Sequence, residues 1–322
     1  MCRNVCAAVV FAVIAGACSS GVDPTTTTAA PPTTTTVAPI TTVTESGSRV
    51  GTIVDELSAS TGGVTVAPDG TIYMASMGPA PQRRGTRIYK VSPSGETTLY
   101  IDDDRLRGAS GNAVDSDGNL YQASLRTGEI FRITPDGKME PFAEDGLQAP
   151  VGVVINPDGG LFVADCGADA VVSVSALGEA TVLATDPAFD CPNGITIDES
   201  GTLFVVNFNN GDVLEVSTDG SVTMLASIPG SQGGHLVYAD DVLYVVARKA
   251  HQIYTVATDG TIAIFAGTGE RGIEDGALAS ATFSLPNGIA VGPDGSLYVN
   301  QVASDTTTNN FPVALRVIEV EP

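Results

Sequence analysis

Tryptophan is absent from this chain, and histidine occurs only at His235 and His251. That leaves little material for aromatic cages or histidine-rich metal sites. Basic residues are also scarce, 15 Lys and Arg against 37 Asp and Glu, for a formal net charge of −22. Binding to nucleic acid without sequence preference needs a basic footprint, so no nucleic-acid partner is expected. Beyond the N-terminal leader no run is long and apolar enough to span a bilayer. No segment carries a sustained helical period with caps. Neither a Gly-x-Ser-x-Gly elbow nor a glycine-rich phosphate loop is present.

What the chain does have is one phrase repeated six times. The copies start at Gly62, Gly111, Val151, Asn193, Gly233 and Asn287, 40 to 54 residues apart. Each holds a β-rich run, a turn that is usually Asp-Gly or Ser-Gly, and a second run containing Tyr or Phe, as in VGVVINPDGGLFVAD and NGITIDESGTLFVVN. A period of this length signals a propeller or solenoid. Two further strand-like runs follow each copy, such as GEIFRIT and KMEPFA around Pro135-Asp136-Gly137. Asp-Gly between apolar runs is a hairpin signal, because glycine supplies the positive φ of a tight turn. The expected fold is therefore all-β, a six-bladed β-propeller of four-stranded antiparallel blades, with strands A to D running from the centre outwards. The sixth unit lacks its last strand, while an orphan strand, Ser48 to Leu57, precedes the first copy. Pairing this N-terminal strand with Phe311 to Val320 would close the ring.

The residues before the propeller, which is expected over 48–322, follow a different logic. Residues 1–17 combine Arg3, an apolar stretch and the small run Ala15-Gly16-Ala17 ahead of Cys18, the pattern of a secretory signal. The ending resembles a bacterial lipobox, which would put a lipid on Cys18; an ordinary signal peptide cleaved nearby is the alternative. Residues 18–47 are then a Thr/Pro-rich linker without the apolar content to fold. The implied location is the cell surface or periplasm, with membrane attachment through the lipid anchor only. Cys166 and Cys191 remain, on neighbouring loops of blades three and four. They read as a disulfide made outside the cytoplasm or as two free buried thiols.

In such a blade the D-to-A and B-to-C loops share one face, and the A-to-B and C-to-D turns share the other. The turn face is mainly Asp-Gly, which turns favour for their own sake. The loop face holds Arg83, Arg84, Arg87, Arg126, Arg248, Lys249, Arg105, Arg107 and Arg271, mixed with Asp102, Asp103, Asp104, Asp190, Glu270 and Glu274. Local ion pairs and an anion site are equally open readings of that mixture.

AGTGERGIEDGALASATFSLPNGIAVGPDGSLYVNQ, at Ala266 to Gln301, resembles an NHL repeat, matching at Asp275, Gly276, Ala281, Phe283, Pro286, Gly288 and Tyr298. As a whole the chain is similar to the regucalcin/gluconolactonase and strictosidine-synthase group of six-bladed propellers. That resemblance implies a divalent cation, usually calcium, at the channel mouth, held by an acidic residue with Asn and Asp at equivalent positions. The equivalent positions here are Gly62, Ser110, Val151, Asn193, Gly233 and Asn287. Asp165 and Asn207, at the ends of strands B, could add oxygens, as could Asn300 or Gln301. The expected ligand-binding set is thus Asn193, Asn287, Asp165, Asn207, Ser110, Gln301 and Arg248, with Asn193 and Asp165 as the metal candidates and Ca²⁺ as the implied cofactor. His235 is expected to pack between blades. Two functions stand: a surface-tethered propeller binding a small molecule or protein, or a metal-dependent hydrolase, lactonase or lyase.

Overall fold

The computed structural model describes residues 41–42, 47–230, 232–306 and 311–320. The chain divides into two units, Met1–Ala38 and Pro39–Pro322. The signal, Cys18 and most of the expected linker lie outside the described residues. Among the described residues there is no helix; the second unit is six antiparallel sheets. Blade one is Val64–Val66, Ile72–Ala75, Arg87–Val91 and Thr97–Asp102; blade two is Ala109–Val114, Leu120–Ser124, Glu129–Ile133 and Met139–Ala143. Blade three is Pro150–Ile155, Leu161–Asp165, Ala170–Val174 and Ala180–Thr185; blade four is Pro192–Ile197, Leu203–Asn207, Asp212–Val216 and Val222–Ser227. Blade five is Gly233–Ala239, Val242–Ala247, Gln252–Ala257 and Ile262–Ala266.

Blade six has Ile289–Val291, Leu297–Val302 and Val313–Glu319, and its fourth strand is Arg49–Leu57 from the other end of the chain. Arg49 lies opposite Glu319 and Leu57 opposite Val313, so the expected closure is the one observed. Two contacts fix it. Val50 is fully buried with Phe283, Phe265 and Ile318. Asp275 accepts hydrogen bonds from Thr52 N (3.1 Å) and Thr52 Oγ1 (2.8 Å), and from Nη2 of the buried Arg316 (2.6 Å). Two edges gain extra strands: Gly276–Ala277 beside Arg49–Val50, and Thr41–Thr42 parallel to Ala263–Ile264. The latter pair falls within the expected linker. Short added strands of this kind cover sheet edges that would otherwise invite association.

The core is six clusters, one between each pair of neighbouring blades. Strand B explains this arrangement, because side chains of a strand alternate between its faces. In blade three Leu161 and Val163 pack towards blade two, whereas Phe162 and Ala164 pack towards blade four. Both faces are covered, so Leu161 to Ala164 are all apolar. The aromatic of strand B always meets the following blade: Tyr73, Tyr121, Phe162, Phe204 and Tyr244 in turn, and finally Tyr298 against blade one. Burying each such side chain contributes about 1.5–3 kcal/mol.

The turn-face aspartates serve their own turns. Asp69, Asp219 and Asp259 accept from the backbone N–H two residues on, at 2.9, 3.0 and 2.9 Å. The following glycines have φ near +83, +85 and +84°.

Candidate functional site

Ten residues before each strand B aromatic stands a glycine: Gly63, Gly111, Gly152, Gly194, Gly234 and Gly288. These six form a ring in which each blade touches the next. A Cβ on Gly63 would lie 2.7 Å from Gly111 Cα, one on Gly111 2.1 Å from Val151 O, and one on Gly152 2.5 Å from Asn193 O. The series continues from Gly194 to His235 Cα (2.7 Å), from Gly234 to Asn287 O (2.5 Å), and from Gly288 back to Gly62 O (2.9 Å). Only glycine permits backbones to approach so closely. Hydrogen bonds stitch the same joints, Gly63 N to Ser110 O at 2.9 Å and His235 N to Asn287 O at 2.8 Å.

Asn193 and Asn287 belong to these joints. Asn193 Nδ2 donates to Gly233 O and Gly234 O (3.1 and 2.7 Å), and Asn287 Nδ2 donates to Gly62 O (3.0 Å). Asn287 Oδ1 accepts from Nη1 of Arg248, which also donates to Leu285 O and Pro286 O. Arg248 is buried; desolvation, then Arg83 and Arg271 nearby, pull its pKa down to about 10. Ser110 is buried too, its carbonyl serving Gly63 N and Gln122 Nε2. As expected, His235 packs between blades; burial holds its pKa down to about 4.

The polar residues ending strands B turn out to face elsewhere. Each clasps the D-to-A segment of its own blade. Ser76 Oγ accepts from Ser60 N (3.0 Å), Ser124 Oγ from Arg107 N (3.0 Å), and Gln301 Oε1 from Ser284 N (3.2 Å). Asn207 Nδ2 donates to Ala188 O (2.8 Å). Asp165 is fully buried, and its carboxylate accepts from Gln148 N, Ala149 N and Gly167 N at 2.7, 2.8 and 3.1 Å. These residues are therefore not brought to the mouth. An oxygen-rich calcium site needs several convergent carboxylate or carbonyl oxygens. Here Asp165 spends both oxygens on backbone amides and Asn193 turns its amide nitrogen to carbonyls, so the donor set does not fit that ion. Among the described residues no group of three or more His, Cys, Asp or Glu side chains is placed to hold a metal.

A cavity of about 530 Å³ opens on the loop face, its walls drawn from blades one to four and six. Asn193 and Asn287 line it, whereas Ser110, Asp165, Asn207, Arg248 and Gln301 do not. One wall carries Met77 and Arg83 of blade one with Leu125 and Arg126 of blade two. The facing wall carries Asp169, Asp190, Phe208 and Asn209 around Cys166 and Cys191, which form a disulfide joining blades three and four. Asp169 Oδ1 accepts from Cys191 N (2.8 Å) and Asp190 Oδ1 from Asn209 Nδ2 (2.6 Å). Sequence reasoning placed the arginines on this face but did not single out Arg83, Met77, Leu125 or Phe208. Three wall residues, Arg83, Asp169 and Cys191, have left-handed φ of 45, 46 and 55°. Strain of that kind collects at binding sites.

The pattern defining the virginiamycin B lyase family matches residues 16–309. The chain belongs to that family. The same architecture recurs in a virginiamycin B lyase from Staphylococcus aureus, a histidine-to-alanine variant described as catalytically inactive and determined with quinupristin. It is 17% identical, with 83% of this chain and 88% of that chain covered and a TM-score of 0.57. A gluconolactonase from Xanthomonas campestris aligns over 85% of this chain and 90% of its own, with 14% identity and a TM-score of 0.65. An auxiliary nutrient binding protein from Bacteroides thetaiotaomicron aligns over 86% and 78%, with 16% identity and a TM-score of 0.66. At these identities the likeness is one of fold. No curated protein matches the sequence. Neither His235 nor His251 lies in the wall of the cavity.

Proposed function

We propose that this member of the virginiamycin B lyase family is a binding propeller that holds a small organic molecule in the loop-face cavity. The carrying observation is the cavity itself, about 530 Å³, with apolar side chains interleaved with arginines, aspartates and asparagines from five blades. A concave, largely apolar pocket with a few convergent polar groups is the usual setting for a small ligand. We further propose that Cys18 carries a lipid and that the Thr/Pro-rich segment tethers the propeller at a membrane outside the cytoplasm; the cysteine pattern of residues 15–18 supports this.

The second reading is ring opening of a lactone or cyclic depsipeptide, favoured by membership of a family named for a lyase. The titratable carboxylates in the wall are Asp169 and Asp190, and these would be the groups to carry proton transfer. A thermal-shift screen of a broad small-molecule library tests the first reading. Hits should lose their effect when Ala149→Phe fills the cavity, and hits indifferent to that change would reject it. Incubation with lactones and cyclic depsipeptides, followed by mass spectrometry, tests the second. Opened product that disappears with Asp169→Asn or Asp190→Asn would establish it over binding alone.

A further inference from the structure

Arg83 is the least compensated charge in the cavity wall. Its side chain is largely withdrawn from water, and among the described residues its guanidinium makes one hydrogen bond, from Nη1 to Met77 Sδ at 2.8 Å. Thioether sulfur is a weak acceptor, and a guanidinium carries five N–H donors. Among the described residues no carboxylate pairs with Arg83. Beside it, Arg126 is held by the carbonyls of Gln82 and Pro81, so a second cation faces the same space. Burial, and then Arg126, hold the Arg83 guanidinium below its usual pKa. A partly buried charge with so little compensation is costly, and its natural complement is an anion.

The opposite wall has the other sign. Asp169 and Asp190 each commit Oδ1 to a neighbour, and among the described residues neither Oδ2 receives a hydrogen bond. Apolar side chains accompany both sets of charges, Met77 and Leu125 beside the arginines and Phe208 beside the aspartates. A ligand of one charge sign would gain at one wall and be repelled at the other.

Resting on the reading that this cavity holds a small molecule, we propose that its ligand is an amphipathic dipole. A carboxylate lies against Arg83 and Arg126, an apolar body against Met77, Leu125 and Phe208, and a protonated amine against Asp169 and Asp190. A short peptide with free ends has this chemistry. The Arg83 backbone has a left-handed φ of 45°, its N–H donates to Pro79 O (2.9 Å), and its side chain lines the cavity.

The test is isothermal titration of alanyl-phenylalanyl-leucine in four forms: free, N-acetylated, C-amidated and blocked at both ends. The free peptide should bind most tightly, and C-amidation should weaken binding about tenfold or more, the range of a hydrogen bond to a charged group. N-acetylation should weaken it severalfold in the parent, and not in Asp169→Asn/Asp190→Asn. In Arg83→Met the preference for the free over the amidated form should shrink severalfold, what remains coming from Arg126, while the ligand-free variant melts at or above the parent. Equal affinity for all four forms, or an undiminished preference for the free acid in Arg83→Met, would overturn the dipole assignment. A lower melting temperature for ligand-free Arg83→Met would do the same, because it would make the guanidinium structural. If no form binds, the peptide-like class is wrong; the library screen above judges the cavity separately.

Discussion

Replacing Gly111 with alanine would place a Cβ 2.1 Å from Val151 O and 3.1 Å from Gly152 Cα, both backbone atoms of the next blade. Attractive contact between non-bonded heavy atoms begins near ~3.5 Å, so blades two and three would have to part by over an ångström. A closed ring cannot widen at one joint without straining the other five. Overpacking a core usually costs 1–3 kcal/mol; a backbone collision that no rotamer can relieve should cost about 4 kcal/mol or more. In a domain of this size each kcal/mol moves Tm by about 2–4 °C, giving a drop of about 10 °C. Two controls separate collision from conformation. Gly295→Ala meets nothing within 4 Å but keeps a φ of +81°, and should cost about 1–2 kcal/mol. Gly51→Ala meets only Val317 Cγ1 at 3.6 Å and should be neutral or stabilising by about 0.5 kcal/mol. Thermal melts of the three variants give the order. If Gly111→Ala melts with Gly51→Ala, the ring is slack and the account of its glycines is wrong.

Three further outcomes follow from the joints and clasps. His235 has a folded pKa of about 4, below its ordinary value. The unfolded chain therefore binds the proton more readily, and stability from this residue is complete above about pH 6.5 and lost as pH falls towards 4. The loss should be on the order of 3 kcal/mol. His235→Phe should flatten the melting profile between those values; an unchanged slope would place the proton elsewhere. Asp165→Asn replaces an acceptor facing three backbone amides with a donor, and should destabilise by about 2–3 kcal/mol. Calcium should not raise the parent's melting temperature, and a rise abolished by Asp165→Asn would refute the clasp. Reducing Cys166–Cys191 opens a loop of 25 residues. It should lower stability by about 3 kcal/mol in the chain-entropy view, read as a fall in Tm with reductant that Cys166→Ser/Cys191→Ser does not show.

The fold was legible because each blade states its own boundaries. An aromatic in strand B, a glycine ten residues earlier and an Asp-Gly turn recur six times, and one missing strand matched one spare. The site was less legible. Chain order places Asp165, Asn207 and Gln301 at strand ends near the mouth, but not the direction their side chains turn. They turn along the D-to-A segment, because amides there, such as Gln148 N and Ala149 N, need acceptors once buried. Polar recurrence at that position reported a structural duty. Arg83 was visible only as one of several loop-face arginines, because its isolation from carboxylates depends on how distant loops pack. Asn193 and Asn287 did reach the cavity, yet their amide nitrogens are occupied by neighbouring blades.

Since Arg49–Leu57 completes the sheet of Val313–Glu319, it must wait for a strand synthesised after five whole blades. Roughly 250 residues separate them, and bringing such distant segments together costs about 3 kcal/mol more than closing a tight hairpin. Blades one to five can assemble as they emerge, each templating the next, while the partner of Arg49–Leu57 does not yet exist. During that interval the nascent protein is an open arc with bare edges at both ends, the state most exposed to capture by another copy. A ribosome that stops short of Val313 therefore leaves Arg49–Leu57 without a sheet to join and Leu297–Val302 with one bare edge.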